Sequence, residues 1–209
     1  KIGVPTAVQD GCIQIAFIII TVIANYRGLN DAAAVGVVEK VISMLFLVPS
    51  SMLATVSAIS AQNIGAGKPE RAVRTLKYAT AITVAYGIAI SVVVELTASS
   101  IIGLFTTDAT VIVLGVQYIR SYIVDAIFAG VHFCFSGFFA ACGRSYIGFI
   151  HNIIAITLVR VPGSYLASKM FPHTLFPMGI AAPAGSLLSV FICLGFYAWL
   201  RRRSVLEAK

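Results

Sequence analysis

The sequence predicts an all-α integral membrane protein, a six-transmembrane-helix bundle, and three observations carry that prediction. Hydrophobic residues make up 59% of the 209 and charged residues only 11%, too few to cover the surface of a soluble domain of this size. The apolar residues gather into six runs, at about 4–26, 34–60, 76–103, 111–141, 146–168 and 175–200, each near or above the roughly 20 residues that cross a bilayer. The basic residues, finally, sort by side. Lys1, the Lys68–Lys77 loop, Arg144, Arg201, Arg202, Arg203 and Lys209 fall between runs on one side, while the other side holds Arg27 and Lys169. The positive-inside rule places that loop and both ends of the chain in the cytoplasm, in agreement with an even number of crossings. The formal net charge of +7 is therefore a topological signal, and no nucleic-acid partner is implied.

The first span opens with Pro5, suited to a first helical turn. Asp10, Gln14, Thr21 and Asn25 then recur at spacings that put them on one face, which predicts a helix bordering a polar interior. The second span carries Glu39 and Lys40 near its outer end and Pro49 inside it, followed by Ser50, Ser51, Thr55, Ser57 and Ser60. A kink near Pro49 is expected, with Ser/Thr side chains or water taking up the carbonyl that proline leaves free. Gly65 and Gly67 end this helix and Pro69 starts the next. The intervening GAGKP lacks the GxxxxGK[ST] spacing of a phosphate loop, and Arg71, Arg74 and Lys77 form instead a basic face at the membrane surface, attractive to anionic lipid headgroups.

The third span has Glu95 in its outer part and leads to the run that organises the chain, Val111–Cys142, with Arg120, Asp125 and His132 inside it. An ionisable group at a bilayer centre costs about 2.5–3.5 kcal/mol, so such groups face a wet cavity or the bundle interior. Read as one helix, this run places Tyr118, Tyr122, Asp125, His132 and Ser136 on a shared polar and aromatic face, suited to cations or protons. Arg120 points about 140° away from Asp125, too far to neutralise it along the helix. The fifth span places Thr157, Arg160, Ser164 and Ser168 on one face beside Pro162, and Arg160 is the side chain that would neutralise Asp125 across helices. The sixth has Pro177 and Pro183 early, small residues from Ala181 to Ser186 for close helix contact, and Trp199 with Arg201–Arg203 at a cytoplasmic end.

Cys12, Cys134, Cys142 and Cys193 all lie in or beside apolar runs without metal-ligand spacing, and read as small buried residues with neither disulfides nor a metal implied. The first run has no cleavage-site pattern and the chain opens on Lys-Ile-Gly-Val-Pro, so the expectation is a piece of a longer polypeptide.

Three stretches in this order, AQNIGAGKPERA after a Pro-containing helix, LFTTDATVIVLGVQYIRSY, and FSGFFAACGRS, resemble the carboxy-terminal lobe of multidrug and toxic compound extrusion (MATE) transporters, in particular the bacterial branch akin to the DNA-damage-inducible relatives. The resemblance runs over essentially the entire chain. It implies one lobe of a twelve-helix antiporter in the bacterial inner membrane, whose amino-terminal lobe is the partner, with small cationic substrates exchanged for protons or sodium and no cofactor. It further implies a cation-binding role for Asp125 and for neighbouring polar groups of the first span. Where one branch carries a Glu eight residues after the Pro of that span, this chain has Ile13, with Asp10 and Gln14 nearby.

The site expected from both lines of argument comprises Asp125, Tyr122, Tyr118, His132, Gln14, Asp10 and Arg160, in a transport protein and not an enzyme. One alternative is a lipid-linked precursor flippase of the wider superfamily, with Arg120, Arg160 and Lys40 lining a groove for phosphates. Another is an intramembrane hydrolase using Ser136 with His151 or His132, although the chain lacks the leading Gly of a nucleophile turn and an evident oxyanion donor. A non-transporting membrane subunit is the third.

Overall fold

The structure, a computed structural model, describes residues 3–202, with side chains from residue 11 onward. The side chains of Asp10, Lys1, Arg203 and Lys209 lie outside the described residues. The described residues form nine α-helices in sequence: α1 (Gly3–Asn25), α2 (Leu29–Leu45), α3 (Leu47–Gly65), α4 (Pro69–Gly103), α5 (Ala109–Tyr122), α6 (Asp125–Ala141), α7 (Tyr146–Ala155), α8 (Val161–Met170) and α9 (Phe176–Arg202). A π-helical turn, Ile156–Arg160, joins α7 to α8. Four stretches are long and apolar enough to cross a membrane, namely Leu29–Gly65, Pro69–Gly103, Tyr146–Met170 and Phe176–Arg202. The α5–α6 pair, bent by 45°, makes a fifth, and the described apolar part of α1, Gly11–Asn25, is shorter. Outward faces carry Ile18, Ile82, Leu96, Leu158 and Phe191, as lipid-facing helices require.

Two apolar runs that read as single helices are divided. The second breaks at Phe46, where Pro49 cannot donate to the carbonyl of Leu45. That carbonyl is taken up by the Tyr86 hydroxyl of α4, which donates to it at 2.9 Å. The expected Ser/Thr rescue does not occur, because Ser51 and Thr55 donate to carbonyls of their own helix at 2.7 and 2.9 Å. The Val111–Cys142 run divides at Ile123–Val124, so it is a bent pair in place of one helix. The Asp of its LFTTD motif has a local task, since Asp108 Oδ1 caps α5 by accepting from the backbone N–H groups of Thr110 and Val111 at 2.8 and 3.3 Å.

Several of the cations that lie between the apolar runs gather at two ends of the bundle. At one end Arg74, Lys77 and Arg201 share a surface groove with Tyr197, and the Arg144 guanidinium lies 5.3 Å from the ring centre of Trp199. At the other, Arg27 is turned into a clamp. It pairs with Asp31 at 2.6 Å and donates to the carbonyls of Phe171, Pro172 and Thr174, fastening the α1–α2 turn to the α8–α9 connection. Gly28 supplies the backbone for that turn at φ 148°, a region almost closed to other residues.

α6 is the hub and packs on α3, α4 and α9. Small residues permit the approach: a Cβ on Gly87 would stand 2.8 Å from the Ile127 Cα, and one on Gly130 would stand 2.8 Å from the Thr83 Cβ. Gly137 is tighter still, against the Leu53 carbonyl. Around this hub the apolar core falls into two clusters. One gathers Ile20, Ile42, Tyr118, Tyr122 and Met178 near the Arg27 end, and the other gathers Val56, Leu76, Phe138, Phe139 and Cys193 toward the basic end. The buried polar side chains Asp125, His132 and Asn152 lie between them.

Gly137→Ala is expected to lower stability by about 1–3 kcal/mol through overpacking against α3. Gly36→Ala, where no atom stands within 4 Å of the new carbon, is its neutral control. Thermal unfolding of both variants of the complete membrane protein in detergent checks this, and equal midpoints would refute the close α3–α6 contact.

Candidate functional site: a buried carboxylate at converging helix breaks

A cavity of about 40 Å³ lies at the level where the two core clusters part. Much of its wall lies at helix breaks or beside the proline inside α9. Phe46 stands at the α2–α3 junction, Asp125 opens α6 just after the bend, Ile156 and Arg160 bound the π turn, and Ala182, Gly185 and Ser186 flank Pro183 inside α9. Ile13 and Phe17 of α1 close one side, while His132 and Asn152 complete the polar lining.

Asp125 is 1% exposed, and among the described residues neither carboxyl oxygen has a hydrogen-bond partner. Ser186 of α9 lines the same cavity. Asn152 Nδ2 and His132 Nδ1 are likewise buried and unpartnered around the same space. A buried polar group costs about 1–3 kcal/mol when left unmade, and a charged one more, so this lining is suited to receive a proton or a cation.

Arg160 shares the cavity yet forms no ion pair with Asp125, so cross-helix neutralisation is not what the structure displays. Its guanidinium donates to the Tyr122 hydroxyl and lies 5.1 and 5.4 Å from the ring centres of Phe17 and Tyr122. Tyr118 meets the Tyr122 ring edge-on at 5.7 Å. Both tyrosines are buried in the outer cluster and stay off the cavity wall, because the bend after Tyr122 turns the two halves of the expected face apart. Arg120 also leaves the interior, pairing with Glu95 at 3.3 Å with both side chains about half exposed.

Deeper along α6, Ser136 Oγ lies 2.9 Å from His151 Nε2, and the His132 and His151 rings meet edge-on at 5.4 Å. The Ser–His contact considered for a hydrolase therefore exists, but its chemistry does not follow. His151 Nδ1 has no orienting partner, and Ser136 sits within a continuous helix whose backbone N–H groups are committed to the helix ladder.

The family model MatE matches residues 5–166. The chain belongs to the MatE family. Among curated relatives it is 22% identical over 203 residues to the probable multidrug resistance protein YoeA of Bacillus subtilis (strain 168), covering 97% of this chain and 44% of that protein. It is 26% identical over 176 residues to the multidrug and toxin extrusion protein 1 of Homo sapiens, covering 84% and 30%. In fold it superposes on a mutant form of the Vibrio cholerae MATE transporter VcmN with a TM-score of 0.90 at 14% identity, over 99% of this chain and 47% of that one. The chain thus spans less than half the length of these relatives.

Of the side chains expected to form the site in this MatE chain, Asp125, His132 and Arg160 meet at the cavity, while Tyr122 and Tyr118 touch it only through Arg160. Gln14 lies in a neighbouring groove with Ser43 and Ser50, divided from Asp125 by Ile13, Phe17, Phe46 and Phe133, which border both spaces. Asn25 points outward, so the first-span face is not uniformly interior. Two groups escaped the sequence reading, and a third, Glu39, was named there beside Lys40 with either of the pair open to face the interior. Asn152 and Ser186 line the cavity, and Glu39 turns inward to accept from Thr21 at 2.9 Å while Lys40 stays exposed. The adjacent His151 and Asn152 inside an apolar run were the available signal for the first. Thr157, expected beside Arg160, faces outward because the π turn adds a residue to that coil.

Ser136→Ala leaves His151 Nε2 without a partner and is expected to cost about 1–3 kcal/mol in thermal stability. A fluorophosphonate probe is expected to leave Ser136 unmodified by peptide mass spectrometry; a labelled Ser136 would restore the hydrolase reading.

Among the described residues no group of three or more His, Cys, Asp or Glu side chains is placed to hold a metal ion.

Proposed function

We propose that the chain is the carboxy-terminal lobe of a secondary active antiporter, and that Asp125 holds the coupling ion, a proton or sodium, that drives export of organic cations. One observation carries this reading: a carboxyl group inside a membrane-spanning bundle has both oxygens buried without a hydrogen-bond partner or an ion pair among the described residues. Neutralisation by a proton or a cation is the physical remedy for such a group. The cavity volume, about 40 Å³, suits a bare ion or a water but not an organic cation. Organic substrate then belongs between this lobe and an amino-terminal partner lobe, and the groove with Gln14, Ser43 and Ser50 is the polar surface on this side. The names of the curated relatives, multidrug resistance and extrusion proteins, agree with that assignment.

The same reading places the Lys68–Lys77 end in the cytoplasm of a bacterial cell, where Arg74, Lys77 and Arg201 meet anionic headgroups. The flippase alternative is weakened because, of its three cations, Lys40 is exposed and Arg120 is paired with Glu95, leaving Arg160 alone at the cavity.

In cells carrying the complete transporter, Asp125→Asn is expected to reduce export of tetraphenylphosphonium by about tenfold or more, the scale set by a charge at membrane depth. Efflux is read by a cation-selective electrode with expression matched. Export at the wild-type rate would end this reading.

A further inference from the structure

We propose that Arg160 is a resident counter-cation that competes with the coupling ion for Asp125, and that Glu39 and Tyr122 set how strongly it competes. This rests on the reading that Asp125 holds that ion.

Arg160 is a partly buried cation that shares a cavity with one carboxyl group and an α1 face with a second, and forms an ion pair with neither. Arg160 lines the Asp125 cavity, and its Nε is buried without a partner among the described residues. Glu39 Oε1 is also buried and unpartnered among them. Glu39 and Arg160 flank the same two turns of α1: Thr21 donates to Glu39 at 2.9 Å, and Phe17, one turn earlier, carries the guanidinium over its ring at 5.1 Å. Tyr122 supplies the one hydrogen bond that Arg160 makes among the described residues.

Inside a bundle a guanidinium needs compensating negative charge, because charge interactions are strong where the dielectric is low. When Asp125 is ionised and empty, it attracts Arg160; when it takes a proton or sodium, that attraction is lost. Binding and attraction are reciprocal, so whatever loosens Arg160 from Glu39 or Tyr122 raises its share at Asp125 and weakens the hold on the incoming ion. Arg160 sits at the end of the π turn, just ahead of Pro162, and π turns are common at functional sites. Of the remaining titratable groups, His132 of α6 lines this space, His151 of α7 meets the His132 ring and Tyr118 of α5 packs on Tyr122, while the described parts of α1 and α9 bring the cavity only uncharged side chains.

The test titrates protons and sodium in turn as the driving ion for tetraphenylphosphonium transport by the complete transporter in proteoliposomes. Arg160→Gln is expected to lower the half-saturating ion concentration about fivefold, and Glu39→Gln and Tyr122→Phe to raise it by a similar factor. In the Arg160→Gln background, Glu39→Gln is expected to have no further effect. A merely structural role moves all three variants the same way, and that result would overturn the proposal, as would a Glu39→Gln effect that survives without Arg160. Should Arg160→Gln not assemble, Glu39→Gln and Tyr122→Phe carry the test: two unshifted half-saturation values refute it. Asp125→Asn separates the failures. Normal ion drive in that variant sinks the site assignment itself, whereas lost drive together with unshifted Glu39→Gln and Tyr122→Phe sinks only the role of Arg160.

Discussion

A carboxyl group deep in a membrane bundle cannot be surrounded by uninterrupted helices. A regular helix commits its backbone polar groups to itself and offers an interior charge only side chains. In this lobe the two-helix second span, the bent α5–α6 pair and the π turn before α8 interrupt at the level of Asp125, where the continuous α9 carries Pro183. These breaks give the carboxyl its cavity, and the rest of the bundle is arranged around keeping them there.

Each break has its own repair. Pro49 strands a carbonyl and Tyr86 of α4 caps it, so α4 holds the α2–α3 junction in register as well as packing against α6. The π turn absorbs a residue just ahead of Pro162 and presents Arg160 inward while Thr157 turns out. Glycines at 87, 130 and 137 let α3 and α4 close on α6 below the bend, where a side chain would force them apart. Stability and site geometry are therefore the same set of contacts viewed from two sides.

The all-helical, membrane-spanning class of the fold was legible in the sequence because hydropathy depends on composition alone. Asp125 was legible for the same reason: an acid at mid-span is conspicuous wherever its helix points. Facing was not. A uniform 100° per residue carried Tyr118 and Tyr122 onto the wall with Asp125, and the bend at Ile123–Val124 undid that placement. The π turn did the same to Thr157. Glu39 was ambiguous beside Lys40, because two adjacent charges near a span end differ only in rotation about the helix axis. What settles that rotation is a partner eighteen positions away, Thr21, invisible to any local pattern.

The Arg27 clamp has a consequence for motion. It fixes the carboxy-terminal tip of α1 to the α8–α9 connection through three carbonyls. Measured along the helix from that tip, Thr21 lies roughly 9 Å away and Ile13 roughly 21 Å away at 1.5 Å per residue. A swing of α1 about its anchored tip would carry Ile13, a wall of the Asp125 chamber, more than twice as far as Thr21. The chamber would be unsealed while the Thr21 hold on Glu39 stayed nearly still, so α1 has the proportions of a lever whose long arm is the door.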